Sequence, residues 1–172
     1  MTTPFVTPRP WPRTLEAYGT DDTYRLAATW LSACKDVADW GGARGYFGKF
    51  LDPSVRYTLV DGTLQDAGQV LADLRYYHKQ SEGILLRHVL DNTLTWEPIL
   101  ENALAAFTKR LVVVTFTPEA DRTTRIDHAN GYPVWHFNRY DLRKAMGTLL
   151  ACERDVQTSH PEHVFYCARV GQ

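Results

Sequence analysis

The stretch Ile84–Trp96, ILLRHVLDNTLTW, constrains this chain more than any other. At strand period Leu86, His88, Leu90, Leu94 and Trp96 share one face, and Arg87, Asp91, Thr93 and Thr95 share the other. One face is then apolar apart from a single imidazole. Burial disfavours a charged histidine, so His88 must find a partner or stay neutral in the interior. A satisfied core histidine is the bland reading. Asp36, placed near the end of the preceding helical pattern, is the carboxylate that would turn His88 into a chemical group.

That helical pattern opens at Thr20-Asp21-Asp22, where capping side chains and acids suit a helix N-terminus. Tyr24, Ala27, Trp30, Leu31, Cys34 and Ala38 recur at three- and four-residue steps, and Gly41-Gly42 closes it. A short helix is expected over Ala43–Phe50, a strand over Val55–Val60 and a helix over Leu64–Tyr77. Beyond Ile84–Trp96, strands are expected over Asn102–Phe116, Thr123–Asn138 and Ala145–Val156, with turn residues between them. Front-loaded helices followed by long consecutive strands imply an α+β fold, with a strongly curved antiparallel or mixed sheet enclosing a pocket.

The chain has 172 residues, enough for one domain with a real core. The proline-rich segment 1–20 is expected to be an extended arm, 21–156 the domain, and 157–172 a C-terminal segment. The apolar patch Val164-Phe165-Tyr166 in that last segment would cover a cavity mouth, add an edge strand or form a subunit contact. A net charge of −1 without a basic face excludes an electrostatic nucleic-acid footprint. No run approaches the ~18 apolar residues of a membrane span, and no apolar leader is visible. Three cysteines without metal-type spacing read as reduced thiols, and a cytoplasmic protein is expected.

This order of elements resembles the NTF2-like (SnoaL-like) α+β cone, and more particularly the scytalone dehydratase-like proteins. The points of likeness are Asp36-Val-Ala-Asp-Trp40, Pro53-Ser-Val-Arg56, His88 shortly before Thr95-Leu-Trp96, and His128-Ala-Asn130. The resemblance implies that Asp36 orients His88 and that the imidazole moves protons in a water-eliminating step. At the family's tyrosine positions the chain carries Lys35 and Leu59, and Val114 stands near the family's second histidine. It therefore implies a more hydrophobic ligand than the family's own.

The dyad also has a physical rationale, since a carboxylate on one ring nitrogen fixes the tautomer and raises the basicity of the other. Tyr57, Leu59, Trp30, His128, Asn130 and Val114 are the candidate substrate-binding residues. No ligand set has convincing metal spacing; His160-Pro-Glu-His163 is too local. Neither a glycine-rich phosphate loop nor a G-x-S-x-G elbow is recognised, so cofactor-free chemistry is the simplest case. The expectation is a dehydratase, cyclase or isomerase, a lyase-type enzyme of polyketide or other secondary metabolism acting on an aromatic small molecule. A non-catalytic carrier or interaction module on the same cone, or an epoxide hydrolase, are the alternatives. A homo-oligomer, dimer or trimer, is expected from the family habit and from outward apolar positions such as Val112.

Overall fold

The computed structural model describes residues 20–63, 68–116, 120–127, 133–157 and 161–169. Its elements in chain order are α1 (Asp22–Leu31), β1 (Asp36–Trp40), a 3-10 turn (Tyr46–Phe50), β2 (Arg56–Asp61) and β3 (Val70–Leu71). There follow β4 (Ser81–Arg87), a 3-10 turn (Leu90–Asn92), α2 (Glu97–Ala106) and β5 (Phe107–Phe116). The chain continues through β6 (Thr124–Asp127), β7 (Pro133–His136), α3 (Arg139–Met146), β8 (Leu150–Val156) and β9 (Glu162–Ala168).

Seven strands form one sheet in the order β3-β2-β1-β4-β5-β9-β8. β1 to β5 run parallel to one another, and β9 runs antiparallel to both β5 and β8. β6 and β7 make a separate antiparallel hairpin. α1 covers one face through Ala27 and Leu31, packed with Val37, Leu85, Val112, Val114, Val164 and Tyr166. α2 and α3 cover the other through Ile99, Leu100, Ala103, Leu142 and Met146, packed with Trp40, Ile84, Leu86, Val113 and Phe165. This is a doubly wound α/β sheet, and the α+β cone is corrected by it.

The physical reason lies in strands buried on both faces. Val37–Trp40 and Gly83–Leu86 are buried at every position, so their sequences show no apolar–polar alternation. Val-Ala-Asp-Trp was thereby readable as the end of a helix, yet α1 stops at Leu31 and Asp36 opens β1. The stretch Ile84–Trp96 divides into the end of β4, a turn, and the approach to α2. Pro98 sits in the first turn of α2, where its missing N–H costs nothing, rather than in a loop. The strand expected over Asn102–Phe116 begins only at Phe107.

The C-terminal patch lies inside the sheet. Val164 and Phe165 are wholly buried and Tyr166 nearly so, between β5 and β8. Val112 is buried against α1 as well, which removes the outward apolar positions offered for self-association. Among the described residues no helix is long and apolar enough to cross a membrane. The expected arm over 1–20 lies outside the described residues except for Thr20.

Candidate functional site

From β1 the chain winds outward to β2 and β3 on one side, and from β4 to β5 on the other. In open α/β sheets ligands bind where the order reverses, beyond the carboxyl ends of those strands. Here that point lies past Trp40 and Arg87, and two polar constellations stand there.

The first follows β1. Gly41, Ala43 and Gly45 all have positive φ, at 75°, 49° and 69°. Gly41 N–H donates to Val60 O at 2.7 Å, so the loop turns directly over β2. A Cβ on Gly41 would come within 2.5 Å of Val89, and one on Gly42 within 2.2 Å of the Asp39 carboxylate. Gly41 and Gly42 are thus required by close packing on Val89 and Asp39, and they let the backbone of the loop be approached closely. Asp61 ends β2, about 20 residues on from Gly41. Its carboxylate accepts from Ala43 N at 2.9 Å and from Thr63 N and Oγ1 at 2.9 and 2.8 Å. Beneath the loop, Tyr57 OH donates to Asp39 Oδ2 at 2.7 Å. Burial pushes Asp39 up to about 7 against the opposing pull of that hydrogen bond, and Asp61 adds to the rise.

The second constellation follows β4. Arg87 donates to Glu162 Oε1 at 2.8 Å, to Thr23 Oγ1 at 2.9 Å and to Tyr24 OH at 3.3 Å. Its guanidinium lies 4.2 Å from the Tyr24 ring centre. Glu162 also accepts from Thr23 Oγ1, and His88 Nε2 lies 2.7 Å from Glu162 Oε1. His88 has φ 54°, unusual for a residue with a side chain, and its ring stacks on Phe116 at 3.8 Å. Asp91 is wholly buried; Oδ1 accepts from Phe116 N at 3.3 Å and Oδ2 has no partner. Burial raises its carboxyl well above the usual range, against the Phe116 N–H and with help from Glu162.

The expected dyad is not assembled. Asp36 opens β1 and is bound to Arg56 at 2.7 Å and to the Glu82 N–H at 2.7 Å. His88 lies six residues beyond Glu82 along the parallel strand, roughly 20 Å away at about 3.3 Å per residue. The carboxylate that meets His88 is Glu162 instead. Tyr57 and Leu59 lie under Gly45 rather than around a cone, each within 3.3 Å of where its Cβ would stand. Trp30 is at the amino end of the sheet, donating to Cys167 O and tilted against Tyr166. Val114 is core beneath α1, although its carbonyl does receive the His88 N–H. His128 and Asn130 lie outside the described residues. A cleft of about 840 Å³ between α1 and residues 49–55 is also at the amino ends, away from both constellations. Among the described residues no group of three or more His, Cys, Asp or Glu is placed to hold a metal.

No protein-family model matches the sequence, and no curated protein matches it significantly. Solved structures do match. A 1,6-didemethyltoxoflavin-N1-methyltransferase from Burkholderia thailandensis, with bound 1,6-didemethyltoxoflavin and S-adenosylhomocysteine, is 15% identical with a TM-score of 0.71, over 88% of this chain and 80% of that one. A magnesium protoporphyrin IX methyltransferase from Synechocystis PCC 6803, with bound S-adenosylhomocysteine (SAH), gives 14% and 0.65 over 87% and 83%. An S-adenosylmethionine (SAM) dependent methyltransferase from Mesorhizobium loti gives 11% and 0.63 over 86% and 96%.

The chain shares its fold with these structures.

This overturns the likeness to scytalone dehydratase and the cone drawn from it. The cofactor-independent dehydratase, cyclase or isomerase falls with the cone that was to enclose its dyad, and so do the carrier and epoxide hydrolase built on it. Sequence reasoning also missed Asp39, Asp61, Arg87, Asp91 and Glu162. The available signal was the short apolar run Val37–Trp40 running into Gly41-Gly42-Ala43-Arg44-Gly45, with Asp61 closing the next strand. Ala43 hides the pattern, because it takes a positive φ where glycine is the expected residue.

Proposed function

We propose that this chain is a SAM-dependent methyltransferase acting on a small molecule. One observation carries the reading: a glycine-rich loop after β1 and the Asp61 carboxylate stand together at the carboxyl ends of the strands in a fold shared with methyltransferase structures. The residues fit such a cofactor. Its glycines allow close approach of a ligand to the backbone, and Asp61, drawn to the loop through Ala43, is placed to accept from ribose hydroxyls. When bound, the cofactor supplies an electrophilic methyl group on a sulfonium. The chain's own work is to hold it, exclude water and present a nucleophile. His88 lies beyond β4 at the carboxyl ends of the strands, beside Glu162 and stacked on Phe116.

Calorimetric titration of the chain with SAH tests this. Saturable binding is expected, and Asp61→Ala should weaken it at least about tenfold, which is about 1.4 kcal/mol. A wild-type chain that binds neither SAH nor SAM overturns the reading.

A further inference from the structure

The cleft of about 840 Å³ at the amino ends of the strands has the size of a small-molecule site. One wall is α1 from Arg25 to its C-cap Ser32, roughly 10 Å of helix at about 1.5 Å per residue. The apolar part of the lining is Ala28, Phe50, Leu51 and Val55, each only partly buried where it packs on the core beneath α1. Three cations line the same cleft, Arg25, Lys35 and Lys49, against one acid, Asp52. That acid is turned onto its own loop, accepting from Ser54 N at 2.8 Å and from Ser54 Oγ at 2.7 Å. Arg25 meets Asp21 at 3.8 Å, an exposed pair along one helix that is weak in water. Among the described residues no carboxylate is paired with the ammonium of Lys35 or Lys49.

Two of the cations are held in place. The Arg25 guanidinium lies 5.3 Å from the Phe50 ring centre, and the Lys49 ammonium 4.1 Å from that of Tyr46. The two rings are themselves 5.6 Å apart, so both charges stand over one aromatic pair. Contact with a ring face steers a cation without neutralising it. One end of the cleft is therefore doubly positive, and the apolar strip leads away from it. A bare inorganic anion would satisfy the charges and leave the strip in water. A neutral apolar molecule would cover the strip and desolvate charges that it cannot pair. An amphiphilic anion does neither. We propose that this cleft is a second ligand site, taking a small organic anion, a carboxylate or phosphate monoester on an apolar body. The acid group lies between Arg25 and Lys49, and the body lies on Ala28, Leu51 and Val55. The site is independent of the methyltransferase reading, because it is at the opposite ends of the strands from Gly41 and Asp61.

Titration calorimetry of the full chain with decanoate and with decyl phosphate, both below their micellar concentrations, tests this. At least one of them should saturate at one per chain, and the tighter identifies the acid group. Decanol, decyltrimethylammonium and inorganic phosphate should each bind at least about tenfold more weakly. Arg25→Gln with Lys49→Gln should weaken the anion at least about tenfold and leave decanol unchanged within about twofold. Val55→Trp, which fills the strip, should weaken the anion and decanol together. Both cations are exposed, so the double variant should keep its melting temperature; if it fails to fold, the wild-type comparison of decanoate, decanol and decyltrimethylammonium decides alone. No saturable binding of either anion, equal binding of decanol, or an affinity unmoved in the folded double variant overturns the site. Inorganic phosphate bound as tightly as the decyl anions overturns it too, since the apolar strip would then contribute nothing. None of these outcomes bears on SAH binding, which is read separately.

Discussion

Asp39 lies under Gly42 with its carboxylate against the loop, and its carboxyl is raised to about 7 chiefly by burial. An unfolded aspartate titrates near about 3.9. Between those values the native state keeps a proton that the unfolded state has lost, so stability falls as pH rises from about 4 to about 7. The slope is at most about 1.4 kcal/mol per pH unit. Asp39→Asn keeps an oxygen for Tyr57 OH and cannot ionise, so it should gain stability relative to the wild type across that window. Melting temperatures of the two proteins at pH 5 and pH 7 check this, and a pH-independent difference would refute it. The same residue shows how a site is hidden at this scale. An aspartate between Ala38 and Trp40 carries no mark of its depth until neighbouring strands close over it.

At the scale of elements, Arg87 and Glu162 tie β4, β9 and α1 together through Thr23 and Tyr24. Both side chains are almost fully buried, at 6% and 1% exposure. Arg87→Met should leave the Glu162 charge without its main partner and cost about 3–5 kcal/mol in urea denaturation. Arg87→Met with Glu162→Gln should recover much of that loss, because the uncompensated charge is gone. Arg56→Met, which breaks the exposed pair with Asp36, should cost no more than about 1 kcal/mol. Equal losses for the two arginines would mean that the buried cluster does not hold these elements. None of this follows from the sequence. Glu162 is remote from Arg87 along the chain, and only the antiparallel return of β9 brings it to the end of β4.

For the molecule as a whole, β9 is hydrogen-bonded on both sides and contributes Val164, Phe165, Tyr166 and Cys167 to the two cores. Ending the chain at Val156 should abolish cooperative unfolding, rather than simply uncover a pocket. Each large apolar side chain lost from the core is worth about 1.5–3 kcal/mol, against a total stability of about 5–15 kcal/mol. A truncated chain that still melts in one sharp transition would show that the segment is an accessory.

The sequence by itself determined local matters. The apolar period places α1 from about Asp22, and the strand expected over Val55–Val60 overlaps β2 at Arg56–Asp61, because both depend on neighbours a few residues apart. It also singled out His88 as an imidazole in an apolar stretch, which the structure sets 2.7 Å from Glu162 Oε1. Strand order, and with it the site, was decided by tertiary structure alone. Strands buried on both faces lose the period-two signal that distinguishes them, so β1 could pass for helix and the glycine loop for a helix end. Partner choice is a question of which strand ends lie side by side. Parallel pairing of β1 with β4 carries Asp36 to one end of the sheet and His88 to the other, while antiparallel pairing of β9 delivers Glu162 to His88.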